Sequence, residues 1–469
     1  MEANGLRIVL FGMGQRFSEW KDLISSSDEV IAIIDNNATL WGKSCNEIII
    51  SKPENIINLC YDIVVIMSTK YSYSMKKQLI ELEVKDSKIV LFDEYYSMRH
   101  KGIFLPQESR NDNESCSNRK ILIITYWLDY NGGSMTAIYA AMAFIEKGFS
   151  VLLAVPGGNK KLIDECARKE IRVAVCQDLF SISEENLSFY DSFDFYLINT
   201  FQMFSCAERF SQDKPIMWWI HEQESIIRQY MLFTRIENNK RIGMDNIFAV
   251  SRNAWSNFNR YFPSINVSIM TYGIPDTYNS SIMDTKKKKH LTVAIIGAIC
   301  ENKGQDIFLK AVSKFNKDCA KQTEFWMIGE TLDNKYCKMI TKESNNIKNV
   351  IVKGKMIREE IEKAYRDDID IVVCTSRSET MSIVITEGMM HRKICITSKN
   401  AGITDYIEDG INGYTFTSED YEELSDKMKW IIENYESLDE IRDKARNTYL
   451  QNFTIGALGE RLSMWIDRN

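Results

Sequence analysis

The stretch Cys374–Met390, CTSRSETMSIVITEGMM, follows directly on the apolar run DIDIVVC at 368–374. The run reads as a buried strand ending at Cys374. A polar loop follows, and a helical pattern begins near Ile383. Short Val/Ile-rich strands alternating with helices mark a parallel sheet covered on both faces. In such open sheets, ligands bind at the carboxyl ends of the strands. Glu379 lies on this loop and Glu387 about one turn into the helix, eight positions further on. The unbonded N–H groups of the helix start, around Thr380, Met381, Ser382, Ile383 and Val384, suit a diphosphate, and Glu387 suits ribose hydroxyls. Taken alone, two glutamates at this spacing are equally well read as solvated surface residues.

Working outward, the same alternation fills most of the chain. RIVLFG, VIAIID, DIVVIM and KIVLFD mark strands of a first segment, with a helical stretch near Phe17–Ser26. PQESRNDNESCSNR, at 106–119, is polar and reads as a linker. ILIITY, SVLLAV, FDFYLINT, PIMWWIH, NIFAV and VSIMT mark the second segment, whose helix SMTAIYAAMAFIEKG stops at Gly148. LTVAIIG, EFWMIG, NVIVKG, DIDIVVC and KICITS mark the third, followed by helices near Glu436–Gln451 and Ile455–Asp467. The expected organisation is α/β: a small Rossmann-like domain at 1–104, a linker at 105–119, doubly wound domains at 120–280 and 288–445, and a C-terminal helix at 446–469 that returns to pack on the middle segment.

The stretch SRSETMSIVITEGMMHRKICITSKNAGITDYIEDGINGYTF resembles the donor-site signature of family 4 glycosyltransferases. The agreement runs from about Thr375 to Phe416 and includes Gly402, Asp409, Gly410 and Gly413. The resemblance implies a GT-B fold of two facing Rossmann-like domains and transfer with retention of anomeric configuration. It assigns the transferred sugar to Glu379 and the nucleotide ribose to Glu387. IIGAICENKGQD, at 295–306, is similar to the family's G-R-x-x-x-x-K-G loop and gives Gly297, Lys303 and Gly304 to the diphosphate. Ala298 stands where the family has arginine; either Lys303 and the helix start suffice, or another cation, such as Arg377, substitutes. Gly354, with Lys355, falls where the family lets the base approach the backbone, and Gly329 ends a neighbouring strand. YNGGSMTAIYAAMAF resembles the family's N-terminal loop, placing Gly132 and Gly133 at phosphates. His221, after PIMWWI, matches a histidine that contacts the sugar; Glu222 would orient it or the acceptor hydroxyl. TYGIPDTY is similar to the interdomain hinge, with Gly273 as its permissive residue.

Gly12, Gly14 and Asp35 form an incomplete dinucleotide fingerprint, because Phe17 replaces the third glycine. A structural or interaction module is favoured there over a working NAD(P) site.

Composition bounds the alternatives. The chain has 469 residues, a net charge of −7, 11 cysteines without a C-x-x-C pair, and 4 histidines. Non-specific nucleic-acid binding, a disulfide framework and a histidine-rich metal site are all disfavoured. No run approaches the roughly 18 apolar residues of a membrane span, and no signal peptide opens the chain. A cytoplasmic enzyme is expected, and the KKKKH run at 286–290 offers peripheral contact with an anionic membrane as the alternative to a solvated loop. No cofactor or metal is expected beyond the nucleotide-diphosphate sugar itself; the D-x-D string at 368–370 opens a buried strand. The resemblance implies a glycan, glycolipid or protein-linked acceptor in surface polysaccharide or glycoconjugate assembly. The rival readings are a GT-B sugar-nucleotide epimerase and an NAD(P)-binding or non-catalytic protein acting through its first module.

Overall fold

Each expected Val/Ile-rich run forms a strand in the computed structural model, which describes residues 5–106, 119–210, 214–236, 246–278, 290–315, 323–331 and 334–468. Most of the expected linker, and lysines 286–289 with the membrane reading attached to them, lie outside these residues. Contacts divide the chain into two units. One comprises Met1–Ala141, Gly148–Ile247 and Phe258–Val267; the other comprises Met142–Lys147, Phe248–Asn257 and Ser268–Asn469.

The first unit opens with β1 (Arg7–Phe11), β2 (Glu29–Ile34), β3 (Ser44–Cys45), β4 (Ile48–Ser51), β5 (Ile63–Ile66) and β6 (Ile89–Leu91), in the sheet order β3-β4-β2-β1-β5-β6. β7 (Ile103–Phe104), β8 (Lys120–Ile124), β9 (Trp127–Leu128), β10 (Ser150–Val155), β11 (Gly157–Gly158), β12 (Arg172–Cys176), β13 (Phe195–Asn199) and β14 (Ile216–Ile220) follow. Of these, β14-β13-β8-β10-β12-β7 adjoin in that order, parallel except at β7, while β9 and β11 pair separately. One apolar core continues under both sheets, joining Val9, Phe11 and Ile66 to Ile124, Ile198 and Trp218. Ser72 Oγ donates to the Gln229 carbonyl at 2.8 Å, and the Lys76 ammonium lies 4.3 Å from the Phe233 ring centre. The first module is therefore packed onto its neighbour. Its first helix is shorter than the apolar spacing predicts. It spans Gln15–Trp20 and ends in a 3-10 turn at Lys21–Leu23. The serine run that follows favours turns over helix, and Tyr95 Oη accepts the Ser25 amide at 3.1 Å.

In the second unit β15 (Ile247–Ala249) and β16 (Ser268–Ile269) pair through Phe248 and Ala249. β17 (Leu291–Ile296), β18 (Thr323–Ile328), β19 (Val350–Gly354), β20 (Ile371–Cys374), β21 (Ile394–Ser398) and β22 (Tyr414–Phe416) form a wholly parallel sheet. Its order is β19-β18-β17-β20-β21-β22. β20 and β21 are buried along their whole length, as strands covered on both faces must be. Asp370 is structural: its Oδ2 accepts the Thr292 amide at 2.9 Å, tying β20 to β17. The last helix, Ile455–Ile466, is capped by Thr454, whose Oγ1 accepts the Ala457 amide at 3.0 Å. Gly273 meets this turn. Its φ is not left-handed, and a Cβ there would lie 2.4 Å from the Thr454 carbonyl oxygen, so glycine is needed for space.

Candidate active site

β17 and β20 are hydrogen-bonded neighbours, so the loops leaving their carboxyl ends meet. After Gly297 (φ +146°) the first loop turns through Glu301–Lys303 to Gly304, which caps the helix Gln305–Ser313 in a left-handed conformation (φ +69°). A side chain at Gly304 would be strained and would place Cβ 2.5 Å from the Thr375 carbonyl oxygen. Thr375 Oγ1 lies 2.8 Å from the Lys303 carbonyl and 2.9 Å from that of Gly304, clamping the first loop to the second. Asn302 Nδ2 adds a bond of 2.8 Å to the Ser378 carbonyl.

The clamp brings the Lys303 ammonium onto the Glu379 carboxylate as an ion pair, with side chains 31% and 13% exposed. Burial pulls the Lys303 pKa down, but the Glu379 carboxylate beside it more than compensates and leaves it above the ordinary lysine value. Ser376 Oγ donates to Glu379 at 3.1 Å. The backbone of this loop is held from the other side. Asn253 Nδ2 donates to the Glu379 carbonyl at 3.0 Å and to that of Asn400 at 2.7 Å, while Ser251 Oγ donates to the Thr380 carbonyl.

Met381 is buried, and Ser382 caps the helix Ile383–Met390, its Oγ accepting the Ile385 amide at 3.4 Å. Ile383 and Val384 open that helix, so their N–H groups have no acceptor one turn back. Glu387 is buried and ion-paired with Arg358, on the helix Arg358–Asp367. Tyr365 Oη, on the same helix, donates to the Val384 carbonyl at 3.0 Å. Arg377 is engaged elsewhere. It donates to both carboxylate oxygens of Asp306 at 3.1 and 2.8 Å and to Glu419 at 2.7 Å, and these partners hold its pKa above the ordinary arginine value. Two carboxylates thus oppose its charge, as Glu379 opposes that of Lys303. Gly354 (φ +72°) ends β19 on the same edge of the sheet, and Lys355 beside it pairs with Glu330 at 3.1 Å.

In the first unit Gly132 and Gly133 open the helix Gly132–Glu146, whose preceding Asn131 accepts the Ser134 amide at 3.0 Å. Asn199 Nδ2 donates to the Gly133 carbonyl at 2.9 Å. His221 follows β14 with its ring 4.6 Å from that of Trp219. Burial pushes its pKa down to about 3, so the imidazole is neutral. Glu222 accepts the backbone amide of His221 at 2.8 Å rather than its ring. Burial raises the Glu222 carboxyl to about 7 against the hydrogen bonds it receives from backbone amides.

On the first sheet, Gly12 has φ +101° and Gly14 caps the Gln15–Trp20 helix. Asp35 is turned onto its own loop: its two oxygens accept the amides of Met13 and Asn37, each at 2.6 Å. Among the described residues no three His, Cys, Asp or Glu side chains cluster as a metal set, and no helix is long and apolar enough to cross a membrane.

Arg358, Ser251, Asn253 and Asn302 carry no sequence signal for these contacts. Arg358 sits in REEIEKAYRD, which reads as an ordinary solvated helix face, and the others reach the loop from segments remote in sequence.

Residues 281–448 match the family model described as glycosyl transferases group 1, and residues 4–90 match one described as C2185-like, N-terminal. A poly(ribitol-phosphate) alpha-N-acetylglucosaminyltransferase of Staphylococcus aureus is 26% identical over 140 residues, 29% of this chain and 28% of that protein. An uncharacterized glycosyltransferase of Methanocaldococcus jannaschii is 28% identical over 143 residues, 30% of this chain and 38% of its own. The chain thus spans well under half the length of either relative. Among solved structures, Anabaena HepE in complex with UDP and glucose superposes with a TM-score of 0.62 at 16% identity, covering 75% of this chain and 100% of that one. The fold is GT-B, with an additional N-terminal α/β module.

Proposed function

We propose that the chain is a retaining, metal-independent glycosyltransferase of family 4, which moves a sugar from a nucleotide-diphosphate sugar to an acceptor hydroxyl in surface polysaccharide or glycoconjugate assembly. The observation that carries this reading is the Lys303–Glu379 pair at the start of a helix whose next turn presents the buried Glu387. The group 1 match over 281–448 spans all of these residues.

In this reading the Ile383 and Val384 amides and the Lys303 ammonium receive the diphosphate. Glu387, fixed by Arg358, accepts hydrogen bonds from the ribose, and Glu379 faces the transferred sugar. As the bond from the anomeric carbon to the diphosphate breaks, its electron pair stays on the phosphate. Lys303 and the helix start stabilise that charge, taking the place of a metal ion. The acceptor oxygen bonds to the anomeric carbon on the same face and passes its proton to the departing phosphate oxygen. Gly132 and Gly133 are assigned to the phosphates and His221 to the sugar, with the enzyme working in the cytoplasm. UDP is the first donor nucleotide to try, because HepE was crystallised with it.

The test is a thermal-shift panel of UDP-sugars, GDP-sugars and NAD(P). A ligand at a hundred times its dissociation constant stabilises by about 2.7 kcal/mol. A nucleotide sugar should raise the midpoint of the native chain, and Glu387→Ala should abolish most of that rise. A response to NAD(P) alone, or an unchanged rise in Glu387→Ala, removes the assignment. An anomeric product signal inverted relative to the donor removes retention.

A further inference from the structure

The helix Ile383–Met390 is held at its start by a residue from a remote part of the chain. Ser382, which caps it, offers one carbonyl to two donors: the Thr386 amide at 3.1 Å and Thr386 Oγ1 at 3.0 Å. Thr386 Oγ1 also lies 3.0 Å from Tyr272 Oη. A hydroxyl has one proton to give, and that of Thr386 goes to the Ser382 carbonyl. Between the two hydroxyls Tyr272 is therefore the donor and Thr386 the acceptor. Tyr272, Ser382 and Thr386 are all buried, so water does not compete for these bonds.

The backbone that carries Tyr272 is itself braced. Arg461 Nη2 donates to the Thr271 carbonyl at 3.2 Å and to that of Tyr272 at 3.4 Å. The Ile274 amide donates to the Phe453 carbonyl at 2.7 Å, and Tyr449 Oη donates to the Ile274 carbonyl at 2.9 Å. The phenol is thus anchored by the C-terminal helices before it meets Thr386. At the other end, the Ser382 carbonyl and the Ile383 amide belong to one planar peptide group. Hydrogen bonds accepted at the carbonyl draw electron density from the nitrogen and make its N–H the stronger donor, by about 10–30% per bond in a chain. A threonine hydroxyl bonded four residues back is common in helices. The second hydroxyl, donating into it from another element, is what makes a chain of the contact.

We propose that Tyr272 is a positioning residue for the donor: through Thr386 it orients and polarises the Ser382–Ile383 peptide, whose N–H receives the diphosphate. The proposal rests on the glycosyltransferase reading and adds to it a residue 114 positions from the threonine it acts through. Tyr272 touches no donor atom in this role. Its effect falls on anion recognition, because a polarised N–H gains most against a charged acceptor. With both hydroxyls in place, the Ser382 oxygen has both lone pairs engaged, so the peptide plane is fixed before the diphosphate arrives.

The experiment compares the full chain with Tyr272→Phe, Thr386→Val, the double variant, and Thr386→Ser, which keeps the hydroxyl. The first readout needs no ligand. Labelling serine at the carbonyl carbon and isoleucine at nitrogen selects the Ser-Ile peptides in an NMR spectrum, and Ile383→Val assigns the one at 383. Its amide proton should move upfield in Tyr272→Phe and at least as far in Thr386→Val. The second readout is calorimetric titration of UDP and GDP. Cooperative strengthening, acting on a charge-assisted hydrogen bond, predicts an affinity loss of about two- to fivefold in each single variant. The double variant should match Thr386→Val, because the two hydroxyls act in series, and Thr386→Ser should match the native chain. A double variant that multiplies the two single losses would overturn the proposal. So would a lowered urea midpoint with native affinity, which would make the contact purely structural, or a loss in Thr386→Ser equal to that in Thr386→Val. An unmoved Ile383 amide with native UDP or GDP binding would overturn the proposal and leave the donor reading intact. Upfield shifts in a chain that binds neither nucleotide would overturn the donor reading, and the diphosphate as recipient, while the hydrogen-bond chain stands.

Discussion

Replacing Lys303 by methionine separates what the Lys303–Glu379 pair does for the fold from what it does for the donor. Removing one partner of a buried ion pair costs about 3–5 kcal/mol, because the other charge is left uncompensated. Lys303 is 31% exposed, so water screens part of that and about 2 kcal/mol is expected. For binding, an ammonium about 4 Å from a phosphate charge gains about 4 kcal/mol at an effective dielectric of 20. Lysine must leave Glu379 to realise that gain, so about 2 kcal/mol is the expected net, roughly thirtyfold in the dissociation constant. The assay is a double-mutant cycle on native, Lys303→Met, Glu379→Gln and the double variant, with urea unfolding for stability and calorimetric titration of UDP and GDP for binding. The double variant should regain most of the stability that Lys303→Met loses, because no buried charge is left alone. It should not regain nucleotide affinity. Recovery of both together would show that the lysine merely neutralises Glu379, and the phosphate assignment would be wrong.

Glu222→Gln tests the desolvated carboxyl beside His221. Its pKa is raised from 4.5 to about 7 by burial, so the folded chain holds this proton more tightly than the unfolded chain does. The resulting stabilisation is complete below about pH 4.5 and is lost as pH rises through about 7, at most about 3 kcal/mol across that window. Urea unfolding at pH 5 and pH 8 should show a smaller pH difference in Glu222→Gln than in the native chain; equal slopes would mean that the carboxyl is solvated. Gly402→Ala would place Cβ 1.9 Å from the Thr380 carbonyl oxygen and 2.4 Å from Ser251 Oγ. The loop that carries Glu379 must then move, at a cost of about 1–3 kcal/mol. Weaker nucleotide binding should accompany the lowered unfolding midpoint, and a variant indistinguishable from native would mean that the loop is free to shift.

Local pattern made the alternation of strand and helix legible. Runs such as IVVC at β20 and ICITS at β21 are apolar without interruption because helices cover both faces of a parallel sheet. The short strands are silent in the sequence for the complementary reason. β3 and β7 have two residues each, too few for any periodicity to register. Arg172–Cys176, at β12, lies between helical patterns without a turn signal of its own.

For the candidate site, the sequence by itself determined which residues stand at the carboxyl ends of strands, since strand, polar loop and helix start follow one another in the chain. Gly297, Lys303, Glu379 and Glu387 were placed in that way. Only the tertiary structure decided their partners. Whether Lys303 meets Glu379, Arg358 meets Glu387, or Arg377 is taken up by Asp306 depends on the order β17-β20 and on helices that approach from distant parts of the chain. The same holds for Asn199, Thr200 and His221. His221 is marked by the resemblance, but that Asn199 Oδ1, Thr200 Oγ1 and His221 Nε2 are buried without a hydrogen-bond partner among the described residues is decided only where β13 and β14 lie side by side. Hydrophobic periodicity is written along the chain, whereas ion pairing and hydrogen bonding are settled between segments that the sequence keeps apart.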